Sequence, residues 1–225
     1  MERSEAKNKI LTYLKQNISN YTEKEFTWIL ENYDYGLNGN FAPDILRQIY
    51  DELGIIKDED NMYAGFVDIL ENKFDIDSNI IEVGSGVIPS IAKRISLKQN
   101  KGTITVYDPR VIPNYHTNER LVLKKEKFTN KTKINKANLL IGFMPCTATE
   151  LIIEKAVNNK KDFLIGLCEG GCSDYDDYYD ENAWLDYICD YADKMLKKKK
   201  LGKLEKTDLK IYGDPYPVIY SKRRN

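Results

Sequence analysis

The spacing of apolar positions divides the chain into two regions. In residues 1–74, apolar residues recur three and four positions apart, which is the spacing of one face of an α-helix. This spacing predicts four helices, which carry Ile10, Leu11 and Leu14; Phe26, Ile29, Leu30 and Tyr33; Ile45, Leu46, Ile49, Tyr50 and Leu53; and Met62, Phe66, Ile69 and Leu70. The region has no run typical of a strand, so we expect a helical cap over residues 1–75.

From Asn79 onwards, strand-like and helix-like runs alternate. Apolar or β-branched runs predict seven strands, at residues 80–83, 103–107, 121–123, 139–143, 163–167, 209–212 and 218–220. Strands that alternate with helices usually pair in parallel and are covered on both faces. A turn at residues 213–216 predicts that the last two strands form an antiparallel hairpin. We therefore predict an α/β fold over residues 76–225, a three-layer αβα sandwich with a mostly parallel seven-stranded sheet and a C-terminal hairpin.

The first predicted strand ends in a glycine-containing loop that leads into a helix. Gly84 and Gly86 allow the backbone to turn sharply and to approach a ligand with no Cβ in the way. The helix that follows directs its N–H groups at this loop. Asp108 ends the second strand, 22 residues after Gly86, where a carboxylate can accept hydrogen bonds from both hydroxyls of a ribose. The pattern indicates a nucleoside site, and the alternative is an ordinary strand-to-helix turn in which Asp108 caps a loop.

The residues around the glycines narrow the class of ligand. Pro89 stands where the dinucleotide fingerprint has its third glycine, and no Gly-Lys-Ser/Thr of a phosphate-binding loop follows. Glu82, just before the glycines, would repel a pyrophosphate and attract a cationic amine. S-adenosylmethionine carries such an amine together with a ribose diol.

These residues resemble the first two motifs of the class I S-adenosylmethionine-dependent methyltransferases. The motifs are an acidic residue followed by Gly-x-Gly after strand one, and an acidic residue at the end of strand two. The resemblance covers about residues 76–222, and it implies a Rossmann-like fold with S-adenosylmethionine as cofactor. By this resemblance, Glu82 and the loop face the methionine moiety and Asp108 faces the ribose. The residues assigned to cofactor binding are Glu82, Gly84, Ser85, Gly86, Asp108 and Phe143.

Two cysteines suggest a second kind of methyltransferase chemistry. Pro145-Cys146, after the fourth strand, resembles the motif of cytosine-C5 methyltransferases, in which a thiolate attacks the ring. Cys168, before Glu169, ends the fifth strand. The chain has no room for a large target-recognition domain, so the simpler interpretation is that both cysteines are small apolar residues at crowded strand ends.

An acidic segment follows the fifth strand. Residues 174–181 contain three tyrosines and five carboxylates, and the carboxyl ends of parallel strands are where such sheets bind ligands. The segment is either a lid that attracts a cationic or amine substrate and repels phosphates, or a solvated loop that caps the next helix. No general base stands out, and the catalytic candidates are Glu169, Tyr175, Tyr178 and Cys146.

Composition limits the partners and the compartment. The net charge of −1 gives no strongly basic domain, which disfavours nucleic acid as a partner. The chain has no secretory signal and no apolar stretch long enough to cross a bilayer, so we expect a cytoplasmic protein without membrane partners. Four cysteines with one histidine do not have the spacing of a zinc site, so we expect free thiols and no metal.

Together these features predict a methyltransferase that uses S-adenosylmethionine and acts on a small molecule. The expected mechanism is in-line displacement at the sulfonium methyl, which depends on proximity and orientation. Two alternatives are a non-catalytic module that binds the nucleoside, and a cytosine-C5 nucleic-acid methyltransferase that uses Cys146 or Cys168. A second copy of the chain, forming a homodimer, is a further candidate partner.

Overall fold

A computed structural model describes residues 3–34, 44–56, 61–113, 115, 118–168, 181–211 and 214–223. Among the described residues, the N-terminal region has the α-helices α1 (Arg3–Gln16), α2 (Glu23–Asn32), α3 (Asp44–Glu52) and α4 (Met62–Lys73). Helix α2 begins with a capping box: the Thr22 hydroxyl accepts from the Glu25 N–H (3.2 Å), and the Glu25 carboxylate accepts from the Thr22 N–H (2.9 Å). Local sequence thus fixes where this helix starts.

Strands and helices alternate through the rest of the chain. They are β1 (Ile80–Val83), α5 (Ser90–Lys98), β2 (Ile104–Tyr107), β3 (Leu121–Lys124), β4 (Leu139–Phe143), α6 (Thr149–Asn158), β5 (Asp162–Gly166), α7 (Glu181–Lys199), β6 (Glu205–Ile211) and β7 (Asp214–Ser221). The sheet order is β3-β2-β1-β4-β5-β7-β6. The first five strands pair in parallel, and β7 is antiparallel to both β5 and β6. The predicted mostly parallel sheet with a C-terminal hairpin is confirmed.

The hairpin differs from the prediction at its turn. Residues 214–216 were expected in the turn, but β7 begins at Asp214, which pairs with Ile211. Pro215 made a turn the simpler expectation, because proline has no N–H to donate to a ladder. It lies opposite Lys210 in the β6–β7 ladder, but beyond the β5–β7 ladder, which covers only Val218–Ser221. At this position β7 therefore pairs on one side only, and a proline is tolerated at such an edge.

Helices cover both faces of the sheet. Helices α4 and α5 pack on one face, where Phe66 and Ile95 lie in a core with alternate residues of the strands. Helices α6 and α7 pack on the other face, where Ile152 and Trp184 lie in a second core. Within the described part of the chain, no helix has both the length and the apolar character that a membrane span requires.

Helices α1, α2 and α3 form a third cluster. Ile10, Ile29 and Ile49 are buried there together with Val87 and Ile88, which come directly before α5. The three N-terminal helices therefore lie against the loop between β1 and α5. The division of the chain into two domains at residue 75 stays a prediction.

Candidate functional site

The candidate site lies at the carboxyl end of β1, where the order of the strands reverses. Strand β1 pairs with β2 on one side and with β4 on the other. In an open α/β sheet, such a switch point leaves a crevice at the carboxyl ends of the strands. A cavity of about 200 Å³ lies here. Its wall includes all six residues assigned to cofactor binding: Glu82, Gly84, Ser85, Gly86, Asp108 and Phe143.

The glycine loop is bonded to the end of β2. Gly84 and Gly86 have φ values of 78° and 75°, in the left-handed region that favours glycine. The Gly84 N–H donates to the Tyr107 carbonyl (3.0 Å), and the Gly86 N–H donates to Asp108 Oδ2 (2.9 Å). The backbone of residues 84–86 is therefore held against the cavity. At Gly84 and Gly86 no side chain stands between this backbone and a ligand.

Asp108 has two roles in this geometry. Its second oxygen accepts from the Arg110 N–H (2.7 Å), so the carboxylate caps a loop, as the alternative interpretation expected. The same buried carboxylate also lines the cavity. Because a carboxylate has about four lone-pair sites, two backbone N–H groups leave acceptor capacity for a ligand.

Glu82 is buried beneath the loop. One of its oxygens accepts from the Ala92 N–H in α5 (3.0 Å). The pKa of Glu82 is raised to about 8, mainly because the carboxyl group is buried. The Ala92 N–H acts in the opposite direction, and the negative charge of Asp108 contributes to the rise. Glu82 is therefore mostly protonated at neutral pH, in contrast to the carboxylate that the sequence analysis assumed.

Gln48 of α3 is a site residue that the sequence analysis missed. Its Nε2 donates to the Ser85 carbonyl (2.7 Å), and its Oε1 accepts from the N–H groups of Val87 (3.0 Å) and Ile88 (3.1 Å). These two N–H groups of the loop before α5 are thus already bonded and are not available to a ligand. A Cβ on Gly86 would overlap Gln48 Nε2, so a larger residue here would displace the side chain that holds the loop. One feature of the sequence could have identified Gln48: it is a polar residue three positions after Ile45, on the apolar face of α3.

Ser90 is a second residue that the sequence analysis missed. It is the first residue of α5, it is buried, and it lines the cavity. Its Oγ has no hydrogen-bond partner among the described residues. A buried hydroxyl without a partner is costly, and a ligand in the cavity would satisfy it.

Two aromatic side chains, those of Phe143 and Tyr63, form part of the cavity wall. The ring of Phe143 lies 5.8 Å from that of Tyr63, 5.1 Å from that of Phe66 and 5.8 Å from that of Tyr216. These contacts fix the ring of Phe143 at the end of β4. The turn that follows has positive φ at Met144 (51°), which is uncommon outside glycine and marks strained backbone beside the cavity.

The catalytic candidates are only partly described. Cys146 is half-buried, has a φ of 47° and lines the cavity. Cys168, directly after β5, is half-buried. Glu169, Tyr175 and Tyr178 lie outside the described residues, as does the acidic segment up to residue 180.

Comparison by sequence finds no relative: the chain matches no protein-family model and no curated protein. Comparison by structure finds methyltransferases. Human N-acetylserotonin methyltransferase, solved in complex with S-adenosylmethionine, has a TM-score of 0.50 and 13 % identity over 88 % of this chain and 60 % of its own. Magnesium protoporphyrin IX methyltransferase from Synechocystis, solved with bound S-adenosylmethionine, has a TM-score of 0.50 and 9 % identity over 86 % of this chain and 90 % of its own.

The chain thus spans 60 % of the length of the human enzyme. At these identities the likeness concerns the fold. It confirms the predicted Rossmann-like fold, which this chain shares with these methyltransferases. In the structure of this chain, the glycine loop follows β1 and Asp108 follows β2.

Replacing Gln48 by leucine tests its role in holding the loop. Leucine has a similar volume, but it leaves the Ser85 carbonyl and the N–H groups of Val87 and Ile88 buried without partners. Such groups cost about 1–3 kcal/mol each, so we expect Gln48→Leu to lower the free energy of unfolding by about 3 kcal/mol in urea titrations. The matched control is Gln16→Leu, at an exposed position of α1, with an expected change of about 0.5 kcal/mol or less. Equal stability of the two variants would contradict the assignment.

The raised pKa of Glu82 makes stability depend on pH. Between the unfolded pKa of about 4.5 and the folded pKa of about 8, the folded chain holds a proton that the unfolded chain has lost. Stability must then fall as pH rises, by up to about 1.4 kcal/mol per pH unit from this group. We expect Glu82→Gln, which keeps an acceptor for the Ala92 N–H, to gain stability relative to the natural chain at each step from pH 5 to pH 8.

The control for this pH series is Glu31→Gln, at an exposed position of α2. Its free energy of unfolding should follow that of the natural chain at every pH. A constant difference between Glu82→Gln and the natural chain from pH 5 to pH 8 would show that Glu82 is already ionised in the folded state.

Proposed function

We propose that this chain binds S-adenosylmethionine in the cavity at the carboxyl ends of β1, β2 and β4 and transfers its methyl group to a small molecule. The observation that supports this most directly is the bond from the Gly86 N–H to Asp108 (2.9 Å), which joins the two predicted cofactor motifs on one cavity wall. The fold is shared with two methyltransferases that were solved with this cofactor.

The chemistry of the wall fits a cationic nucleoside better than a pyrophosphate. The carboxyl groups of Glu82 and Asp108 both border the cavity. The cation in the wall, Arg110, is paired with Glu25 (2.6 Å). Since Gln48 already bonds the N–H groups before α5, the loop does not present the cluster of free donors that phosphate-binding loops use.

Each side chain of the wall has a proposed task. Asp108 accepts hydrogen bonds from the ribose hydroxyls, and the backbone of residues 84–86 contacts the methionine moiety. Glu82 ionises when the ammonium group approaches, because an opposite charge favours the charged form of a carboxyl. The hydroxyl of Ser90 gains the partner that it otherwise lacks. Phe143 provides a fixed apolar surface beside the ligand.

The proposed reaction needs little acid–base chemistry from the protein. When bound, S-adenosylmethionine supplies a methyl group that is activated by the positive sulfonium. The chain holds the acceptor in line with that methyl and keeps water out, and orientation alone can lower a barrier by about 7–11 kcal/mol. Cys146 lies at the wall, and Glu169, Tyr175 and Tyr178 are proposed for the acceptor side. The five carboxylates of residues 174–181 would attract a cationic or amine acceptor.

The cavity must widen to admit the whole ligand. Its volume of about 200 Å³ is below the ~300–1,000 Å³ of typical ligand clefts. Gln48 and Ile45 of α3 form part of the wall, so a shift of α3 is the simplest way to widen it. Ligand binding would then be coupled to the packing of α1, α2 and α3.

Calorimetry with S-adenosylmethionine and with its demethylated product, S-adenosylhomocysteine, tests the proposal. We expect both to bind the natural chain and Asp108→Asn to weaken both, by about tenfold or more, because hydrogen bonds to charged groups contribute about 1.5–3 kcal/mol. The matched control is Asp77→Asn, since Asp77 also accepts from backbone N–H groups, at Asn100 (2.7 Å) and Lys101 (3.4 Å), in an exposed loop.

The control should bind both ligands within about twofold of the natural chain, with all variants confirmed as folded by circular dichroism. No binding of either ligand to the natural chain, or equal loss in both variants, would refute the proposal. If S-adenosylmethionine binds but no S-adenosylhomocysteine is formed in the presence of small amine acceptors, the result would instead favour the non-catalytic module.

A further inference from the structure

A second surface of the molecule carries unbalanced positive charge. Residues 124–136 contain six lysines and one acidic residue, Glu126, which gives +5 in a chain whose net charge is −1. The six lysines are exposed: Lys124, Lys125, Lys127, Lys131, Lys133 and Lys136. Across the described ranges, none of them forms an ion pair with another residue. We call residues 124–136 the basic segment.

The basic segment is held in a defined shape. Phe128 and Ile134 are buried in the core on the α6 side of the sheet. Lys155 of α6 donates from Nζ to the carbonyls of Asn130 (2.9 Å) and Thr132 (2.6 Å). The basic segment is thus anchored by two buried apolar side chains and by hydrogen bonds to its backbone, while its lysines stay exposed.

The segment borders an open part of the sheet. Helix α6 covers β4 and β5 on this face, whereas β2 and β3 pack against α5 on the opposite face. A cavity of about 330 Å³ lies between β2 and the basic segment. The polar groups in its wall are those of Asn79, Thr103, Thr105, Tyr107, Lys133, Asn135 and Lys136.

We propose that this surface binds single-stranded nucleic acid. The lysines provide a row of uncompensated cations for the phosphate backbone, which dominates the affinity of such complexes. The adjoining cavity offers hydroxyl and amide groups and the half-buried ring of Tyr107, which together suit one unstacked base. A duplex keeps its bases stacked and cannot fill that cavity.

The composition of the surface favours nucleic acid over a protein partner. Val122 (37 %) is the one large apolar side chain described as exposed on β2, β3 and the basic segment. The centres of protein interfaces are depleted in lysine and enriched in aromatic residues and arginine. The net charge of the whole chain led the sequence analysis to disfavour nucleic acid, but binding depends on the charge of the contacted surface.

This inference does not depend on the proposed function. The surface lies on the α6 side of the sheet, and it uses none of the residues assigned to cofactor binding. The nearest link is Tyr107, which lines this cavity and precedes Asp108 of the candidate site.

Fluorescence anisotropy with labelled single-stranded RNA, single-stranded DNA and double-stranded RNA tests the inference at 50 and 200 mM salt. We expect both single strands to bind the natural 225-residue chain more tightly than the duplex, with affinity falling as salt rises. The triple variant Lys131→Glu, Lys133→Glu, Lys136→Glu should lose about tenfold or more in affinity. Its slope of log affinity against log salt should fall by about 2, since each neutralised phosphate contributes about 0.7.

The matched control is the triple variant Lys9→Glu, Lys15→Glu, Lys24→Glu, which makes the same change in net charge at exposed positions of α1 and α2. Its affinity should stay within about threefold of that of the natural chain. Four results would overturn the inference: no salt-dependent binding of a single strand, preference for the duplex, equal loss in both triple variants, or equally tight binding of polyglutamate, which would indicate an acidic protein partner.

Discussion

The hydrogen bond between the Gly86 N–H and the Asp108 carboxylate is the interaction on which the candidate site depends. Parallel pairing of β1 with β2, in a register that sets Val83 opposite Tyr107, brings the ends of both strands to the same edge of the sheet. Residues 22 positions apart in sequence then share one bond of 2.9 Å. That bond fixes the glycine backbone of the loop and the carboxylate on one wall, and the proposed contacts to the methionine moiety and the ribose follow from this placement.

Two further features of the cavity wall are energetically unfavourable in the absence of a ligand. Glu82 and Asp108 are both buried acids beside one cavity, and their proximity contributes to the raised pKa of Glu82. The Ser90 hydroxyl lies in the same wall with its bonding capacity unused. A cationic ligand with hydrogen-bonding groups would relieve both costs at once. Sites that bind ligands often keep such locally unfavourable groups, because their cost is recovered on binding.

Much of the fold could be predicted from the sequence because its signals are local. The β-branched run that ends at Tyr107 and the glycine loop that leads into α5 are features of consecutive residues, and the structure has them as expected. Gln48 could not be found in this way, because its partners lie 37 to 40 positions away and meet it only when α3 packs on the loop. The protonation of Glu82 likewise depends on burial, which no spacing of residues reveals. The prediction of a turn at residues 214–216 was wrong, because the effect of Pro215 depends on which strand lies beside it.

The surface charge illustrates the same limit. A net charge near zero conceals a lysine-rich segment beside β3 and an acidic segment before α7, and these lie far apart in sequence. Only the folded arrangement shows that the lysines border an open part of the sheet.

A crystal structure of the chain grown with saturating S-adenosylhomocysteine tests the central claim most directly, because this product cannot turn over. The account predicts electron density for the ligand in the cavity that residues 84–86 and the Asp108 carboxylate border, with the Gly86–Asp108 hydrogen bond intact and α3 displaced outward. Density for the nucleoside at another place, or a cavity that stays closed and empty under these conditions, would contradict it.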